Sequence, residues 1–209
     1  MGKRVPTQRK PEASWKQLGK KQARLANRLN TAETVQIIGE DTDITLSVAG
    51  RTWINSDGKR NMPSGEVFTG PIETSAEGHI RFDFPVVQGG RVIEGVRLVF
   101  RKGRVVEATA ERNQDYLLAM LDMDRGARRL GEIGIGTNFG IDRFIRTILF
   151  DEKIGGTVHL AVGSSYPETG ATNKSGLHWD MIKDLRKGGE IRVDGKAIQQ
   201  DGIFKKGWF

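Results

Sequence analysis

The sequence predicts an α+β fold, a mainly antiparallel β domain with an N-terminal amphipathic helix and one or two further helices. Three observations predict it. Short runs rich in β-branched and aromatic residues recur from Thr34 onward, separated by joints that take up most of the 27 glycines. Only two stretches hold a helical period. Strands and helices do not alternate as in a parallel α/β sheet, and no repeat of solenoid length is present.

From Pro11 to about Ala32, Trp15, Leu18, Leu25 and Leu29 recur at helical spacing among lysines and arginines, which predicts an amphipathic helix in need of a partner surface. The β-rich runs TVQIIG, DITLSVAG, RTWIN, HIRFDFPVV, RVIEGVRLVF and RVVEATA follow, the last two joined by a hairpin signal at Arg101-Lys102-Gly103. Tyr116, Leu117, Met120 and Leu121 predict a second helix over Gln114 to Met123. LGEIGIG, TVHLAVG, HWDMIKDL and GEIRVDGKAI complete the strands. The glycines of GIGTNFG miss the dinucleotide spacing by one residue, so a strand end and a turn are expected there. DMDRG lacks the further oxygens of a calcium loop and reads as a helix terminus.

A chain of 209 residues buries a sizeable core unaided. With no cysteine, thiolate zinc sites, iron–sulfur clusters, thiol nucleophiles and disulfides are excluded, so any metal must sit on nitrogen and oxygen. No apolar run spans a bilayer and MGKRVPTQRKPEASW has no signal-peptide core, which leaves the cytoplasm as the expected location and no membrane partner. The net charge of +7 is local: residues 1 to 30 carry nine positive side chains against Glu12, and the remainder is close to neutral. Residues 1–11 therefore read as a basic flexible arm and 12–209 as the folded domain. A nucleic-acid partner is not favoured, since the body shows no basic stripe with interleaved aromatics.

The chain owns three histidines, and one of them stands beside a carboxylate in LHWD. On a strand His178 and Asp180 share a face, either as a surface pair or as metal ligands. Glu66 in SGEVFTGP and Glu132 in LGEIGIG each follow a glycine, where close backbone approach would let a carboxylate aim inward; an exposed strand glutamate is the alternative. His159, inside the apolar TVHLAVG, is either a hydrogen-bonded core histidine or a ligand. Together these five make the inventory of a dinuclear oxygen/nitrogen site for zinc, cobalt, manganese or magnesium, whose ions lower the pKa of water and polarise a substrate oxygen.

In this order the motifs resemble the metal-dependent aminopeptidases of the aminopeptidase T, aminopeptidase S and PepS type, through DITLSVAGRTWINSDGKRNMPSGEVFTGP, GARRLGEIGIGTN, ILFDE, VHLAVGSSYPET and NKSGLHWDMI. The resemblance implies Glu66, Glu132, His159, His178 and Asp180 as ligands of two divalent ions, zinc or cobalt ahead of manganese or magnesium, with Glu152 of LFDE as a sixth. It gives the catalytic roles to Glu66 and to Tyr166, whose phenol would donate to the developing oxyanion. The resemblance implies family members about twice as long, whose N-terminal α/β domain is expected to be absent here. KIGGTV lengthens the segment between LFDE and His159, and the Tyr166–His178 loop is shorter than the family's.

The function implied is removal of N-terminal residues from peptide substrates, by a homo-oligomer or together with a separate N-terminal-domain partner. The alternative is an inactive, metal-binding family remnant that serves as a binding or assembly module. Such a remnant is expected to have lost a ligand, and none of the five is lost.

Overall fold

A computed structural model describes residues 11–209. The basic arm expected over residues 1–11 thus lies, up to Lys10, outside the described residues. Among those described, no helix is long and apolar enough to cross a membrane.

Helix α1 (Pro11–Leu29) precedes β1 (Thr34–Gly39), β2 (Thr42–Ser47), β3 (Ile54–Ser56), β4 (Glu66–Thr69) and β5 (Glu77–Arg81). Next come β6 (Val86–Gln88), β7 (Arg91–Ile93), β8 (Arg97–Arg101), β9 (Arg104–Thr109), α2 (Gln114–Leu121) and β10 (Leu130–Gly136). The chain ends with α3 (Ile148–Asp151), β11 (Thr157–Gly163), β12 (His178–Asp184), β13 (Glu190–Val193), β14 (Lys196–Gln200) and β15 (Ile203–Phe204). The expected α+β fold is what forms, with every named strand pairing antiparallel.

Three expected strands are each divided in the structure. HIRFDFPVV divides into β5 and β6 around Pro85, which has no amide to give a ladder. RVIEGVRLVF divides into β7 and β8 at Gly95, whose φ is +63°. GEIRVDGKAI closes as the hairpin β13–β14 through Asp194 and Gly195, both at positive φ. GIGTNFG is the predicted strand end and turn, and DMDRG follows directly on α2.

An eight-stranded sheet, in the order β15-β14-β13-β1-β2-β5-β8-β9, and a five-stranded sheet, in the order β12-β11-β10-β4-β3, bury residues in one common core. Val35, Ile37, Ile44, Leu46, Leu98 and Phe100 come from the larger sheet; Val67, Ile133, Ile135, Val158, Leu160, Trp179 and Met181 come from the smaller. In the smaller sheet those residues occupy alternate positions, so strand geometry turns Glu66, Glu132, His159, His178 and Asp180 to its other face.

The amphipathic helix finds much of its partner surface within the chain. Leu25, Ala26 and Leu29 are buried in the core, whereas Trp15 and Leu18 are half-buried. Gln22 is also buried, and its Nε2 donates to Ser56 O (2.9 Å) and Glu66 O (2.7 Å), which fixes α1 to β3 and to the first residue of β4.

Candidate metal centre

The five-stranded sheet supplies a floor of small residues. Its ladder sets Glu66 opposite Gly136, His159 opposite Gly134, and His178 opposite Gly163, while Ala161 lies between Glu132 and Asp180. Each long polar side chain therefore leans over a neighbour with little or no side chain. A Cβ on Gly134 would stand 2.1 Å from the His159 ring. The glycines ahead of the glutamates act as the sequence suggests: a Cβ on Gly65 would meet Asn138 Cβ at 2.5 Å, and one on Gly131 would meet Gly163 O at 2.4 Å.

The side chains converge in a short chain of contacts. His159 Nε2 lies 3.3 Å from Glu66 Oε2 and 3.3 Å from Glu132 Oε1. The other Glu132 oxygen, Oε2, lies 3.5 Å from His178 Nε2, which is in turn 3.4 Å from Asp180 Oδ2. His178 Nδ1 is 2.8 Å from Ser164 O, so the Nδ1–H tautomer donates to that carbonyl and leaves Nε2 facing the carboxylates. Three groups of three, Glu66–Glu132–His159, Glu132–His178–Asp180 and Glu152–His159–Asp180, each bring ligand atoms within 4.8 Å of one another. Five of the six candidate ligands thus come from four adjacent strands, and Glu152 joins them from the end of α3. The third histidine stands apart, with its Nε2 3.5 Å from Asp41 on the eight-stranded sheet.

Glu152 is aimed by its neighbour. The Asp151 carboxylate accepts from the amides of Ile145 (2.9 Å) and Thr147 (2.7 Å), closing the turn that carries α3. The longer KIGGTV segment leaves this placement intact. Sequence reasoning missed Lys153, whose side chain is wholly buried, with Nζ on Glu66 Oε1 at 2.8 Å and bonded to Glu152 Oε1. In a chain so rich in lysine it reads as one more surface cation; the only signal was its place between an acidic pair and an apolar segment.

The electrostatics follow from four carboxylates gathered in a dry place. Burial presses the His159 imidazole toward neutrality, but the Glu132 hydrogen bond with Glu66 and Glu152 nearby outweighs it and lifts the pKa to about 10. For His178 burial is likewise outweighed, chiefly by Asp180, giving about 9. Burial, reinforced by Glu66, raises Glu152 to about 7. Burial also raises Glu132. Lys153 stays charged because Glu66 and Glu152 overcome its burial. Without a cation Glu132 and Glu152 hold protons more readily and His159 and His178 favour the imidazolium form, the response expected of a ligand cluster built to surround positive charge.

A cavity of about 430 Å³ opens over this floor, lined by Glu66, Glu132, Glu152, His178 and Asp180, with Phe68, Ile148, Leu149 and Tyr166 at its sides. Tyr166 packs edge-on to Phe68 (5.4 Å between centroids) and to His178 (5.1 Å). Burial and the surrounding carboxylates push its phenol well above the usual range, so the hydroxyl keeps its proton.

Residues 4–209 match the family model described as thermophilic metalloprotease (M29). Aminopeptidase 2 of Geobacillus stearothermophilus is 31% identical over 216 residues, covering 94% of this chain and 52% of that protein. Aminopeptidase T of Thermus thermophilus is 32% identical over 191 residues, covering 81% and 45%. The solved structure of wild-type AmpT from Thermus thermophilus superposes with a TM-score of 0.83 at 28% identity, over 93% of this chain and 55% of that one. A 2,5-dihydroxypyridine dioxygenase from Pseudomonas putida KT2440 (TM-score 0.72, 20% identity, 90% of this chain and 60% of that one) shares the fold alone. The chain spans about half the length of the curated relatives it matches. By the match of residues 4–209 to its model and by the shared fold, the chain belongs to the thermophilic metalloprotease family, M29.

Proposed function

We propose that this domain is the metal-holding, hydrolytic portion of an aminopeptidase, which carries two divalent ions and removes the N-terminal residue from peptides. One observation carries the reading: Glu132 divides its two oxygens between His159 and His178, as a carboxylate shared by two ions would. The residues present fit such a pair. Glu66 Oε2, Glu132 Oε2, Asp180 Oδ1 and His159 Nδ1 are buried without a hydrogen-bond partner, which is costly unless a cation or its waters engage the cluster. Imidazole beside carboxylate suits zinc or cobalt, ahead of manganese or magnesium. Bound there, the ions supply Lewis acidity, lowering the pKa of the attacking water and polarising the scissile carbonyl.

The chain's own residues do the rest. The Ser164 carbonyl keeps the His178 ring in register. Phe68, Ile148 and Leu149 limit water at the cavity. The Tyr166 phenol donates a hydrogen bond to the oxyanion as it forms. Proton acceptance falls to the edge formed by Glu66 and Glu152, the two carboxylates that Lys153 holds in place. Either a second copy or a separate N-terminal domain would complete the walls of the substrate site, and Ile148 and Leu149 beside the cavity are exposed enough to be covered.

The test is to strip the protein with a chelator, reconstitute it with zinc or cobalt, count ions, and assay aminoacyl anilides with free and acetylated amines. Two equivalents and turnover of the free amines alone are expected. Less than one equivalent, or equal cleavage of the blocked substrate, would sink the reading. The half-length match favours one other reading, an inactive metal-binding module that serves assembly. Full metallation with no turnover is its signature.

A further inference from the structure

Lys153 is the one wholly buried lysine among the described residues, and both contacts of its ammonium are candidate ligands. We propose that Lys153 makes the two ion sites unequal: the Glu132–His178–Asp180 group fills first and tightly, and the group around His159 fills second and holds the exchangeable ion. This rests on the two-ion reading above.

The argument is one of geometry and fixed charge. Of the three ligand groups, the two that include His159 each use a carboxylate that Lys153 already engages, Glu66 in one and Glu152 in the other. The group around His178 uses neither. Lys153 takes Glu66 Oε1 and leaves only Oε2, on the His159 side, so Glu66 can offer one oxygen to one ion. Glu152 likewise has one oxygen engaged. The His159 side therefore has its negative charge partly cancelled before any ion arrives, in a place where neither His159 nor Lys153 is exposed to water. The His178 side keeps two carboxylates that Lys153 does not touch, and its histidine is 27% exposed, so an ion entering it gives up less hydration. At the spacing of such a cluster, one unit of fixed charge acting on a divalent ion changes cation affinity by about 10²-fold or more. Lys153 is a positioning residue in this scheme: it holds Glu66 and Glu152 in place and sets how firmly the second ion stays.

The experiment is calorimetric titration of metal-free protein with Co²⁺, with the cobalt absorption bands recorded alongside. Wild type should show two steps at least about 10²-fold apart. Lys153→Met should tighten the second step at least tenfold and move the first less than about threefold, whereas Lys153→Arg keeps the steps apart. Should the methionine variant fail to fold, His178→Ala and His159→Ala decide the matter, since the former should retain only a weak site and the latter a tight one. Two equal steps in wild type, a second step unmoved in Lys153→Met, or a tighter site left in His178→Ala would overturn the inference while leaving the two-ion reading in place. A total of one ion in wild type and in Lys153→Met would overturn that reading, and this inference with it.

Discussion

Tyr166 and Glu73 show how single side chains serve the cavity in different ways. Tyr166→Phe removes only the hydroxyl and keeps both ring contacts, so metal content should hold while turnover falls by about 10²–10³-fold. Unchanged turnover would take Tyr166 out of the mechanism. Glu73 acts from beneath: it accepts from the amide (2.6 Å) and hydroxyl (2.9 Å) of Thr172 and pairs with Arg51 at 2.7 Å, while Arg51 also bonds Gly170 O. These contacts tie down the loop that follows Tyr166. Burial pushes the Glu73 carboxyl up, but its hydrogen bonds and Arg51 outweigh that, so its folded pKa lies below the ordinary value of 4.5. A depressed folded pKa contributes stability above the ordinary value and loses it as pH falls through the folded one. Glu73→Gln should therefore be less stable than wild type at neutral pH, with the gap closing below about pH 4 in acid-unfolding curves. A gap that widened on acidification would refute this assignment. At this scale the sequence was informative where chemistry is rare. Histidines are few here, and a glutamate behind a glycine is conspicuous, so His159, His178, Glu66 and Glu132 could be singled out by motif. Lys153 could not, because its role comes from burial, which lysine seldom accepts and which no spacing in the sequence announces.

Two elements carry the site, the five-stranded sheet and the helix behind it. In LGEIGIG and VHLAVG the small residues fall two and four places after Glu132 and His159, and the ladder sets them beside ligands from other strands. Gly134→Ala would drive a methyl into the His159 ring, so it should weaken metal binding on the His159 side, as His159→Ala should. Retained affinity, measured by competition with a chromophoric chelator, would show that the floor has room to spare. On α1, Gln22→Leu takes its side-chain donor from the buried Glu66 carbonyl, while Ser56 O keeps Ser64 Oγ, and should cost about 1–3 kcal/mol. Leu25→Ala should cost about 2–5 kcal/mol by chemical denaturation. Element types were readable from period and turn residues, since an alternating run bounded by glycine has few other solutions. Where a run held its own break, as the turn at Asp194-Gly195 or the interruption before Pro85, the same apolar pattern continued through it and hid it. Sheet order was not readable at all: β13 beside β1 depends on contacts across some 155 residues, to which local pattern is blind.

Taken whole, the molecule gathers its candidate ligands from residues 66 to 180, on four strands and one short helix. Gly136 must reach Glu66 before either takes its place, and His178 must cross to β11. An unfolded chain offers a divalent ion little more than the single pair His178 and Asp180, so the ion has almost nothing to hold until the sheet has closed. Metal should then raise the melting temperature, since saturation at about 100 times the dissociation constant adds about 2.7 kcal/mol, roughly 5–11 °C for a chain of this size. The effect should also be lopsided in time. Stopped-flow traces should give one refolding rate whether or not zinc is present, and an unfolding rate that drops as zinc rises, because the ion joins after the slow step and guards only the way out. Faster refolding with zinc would mean that part of the cluster is already assembled at the barrier.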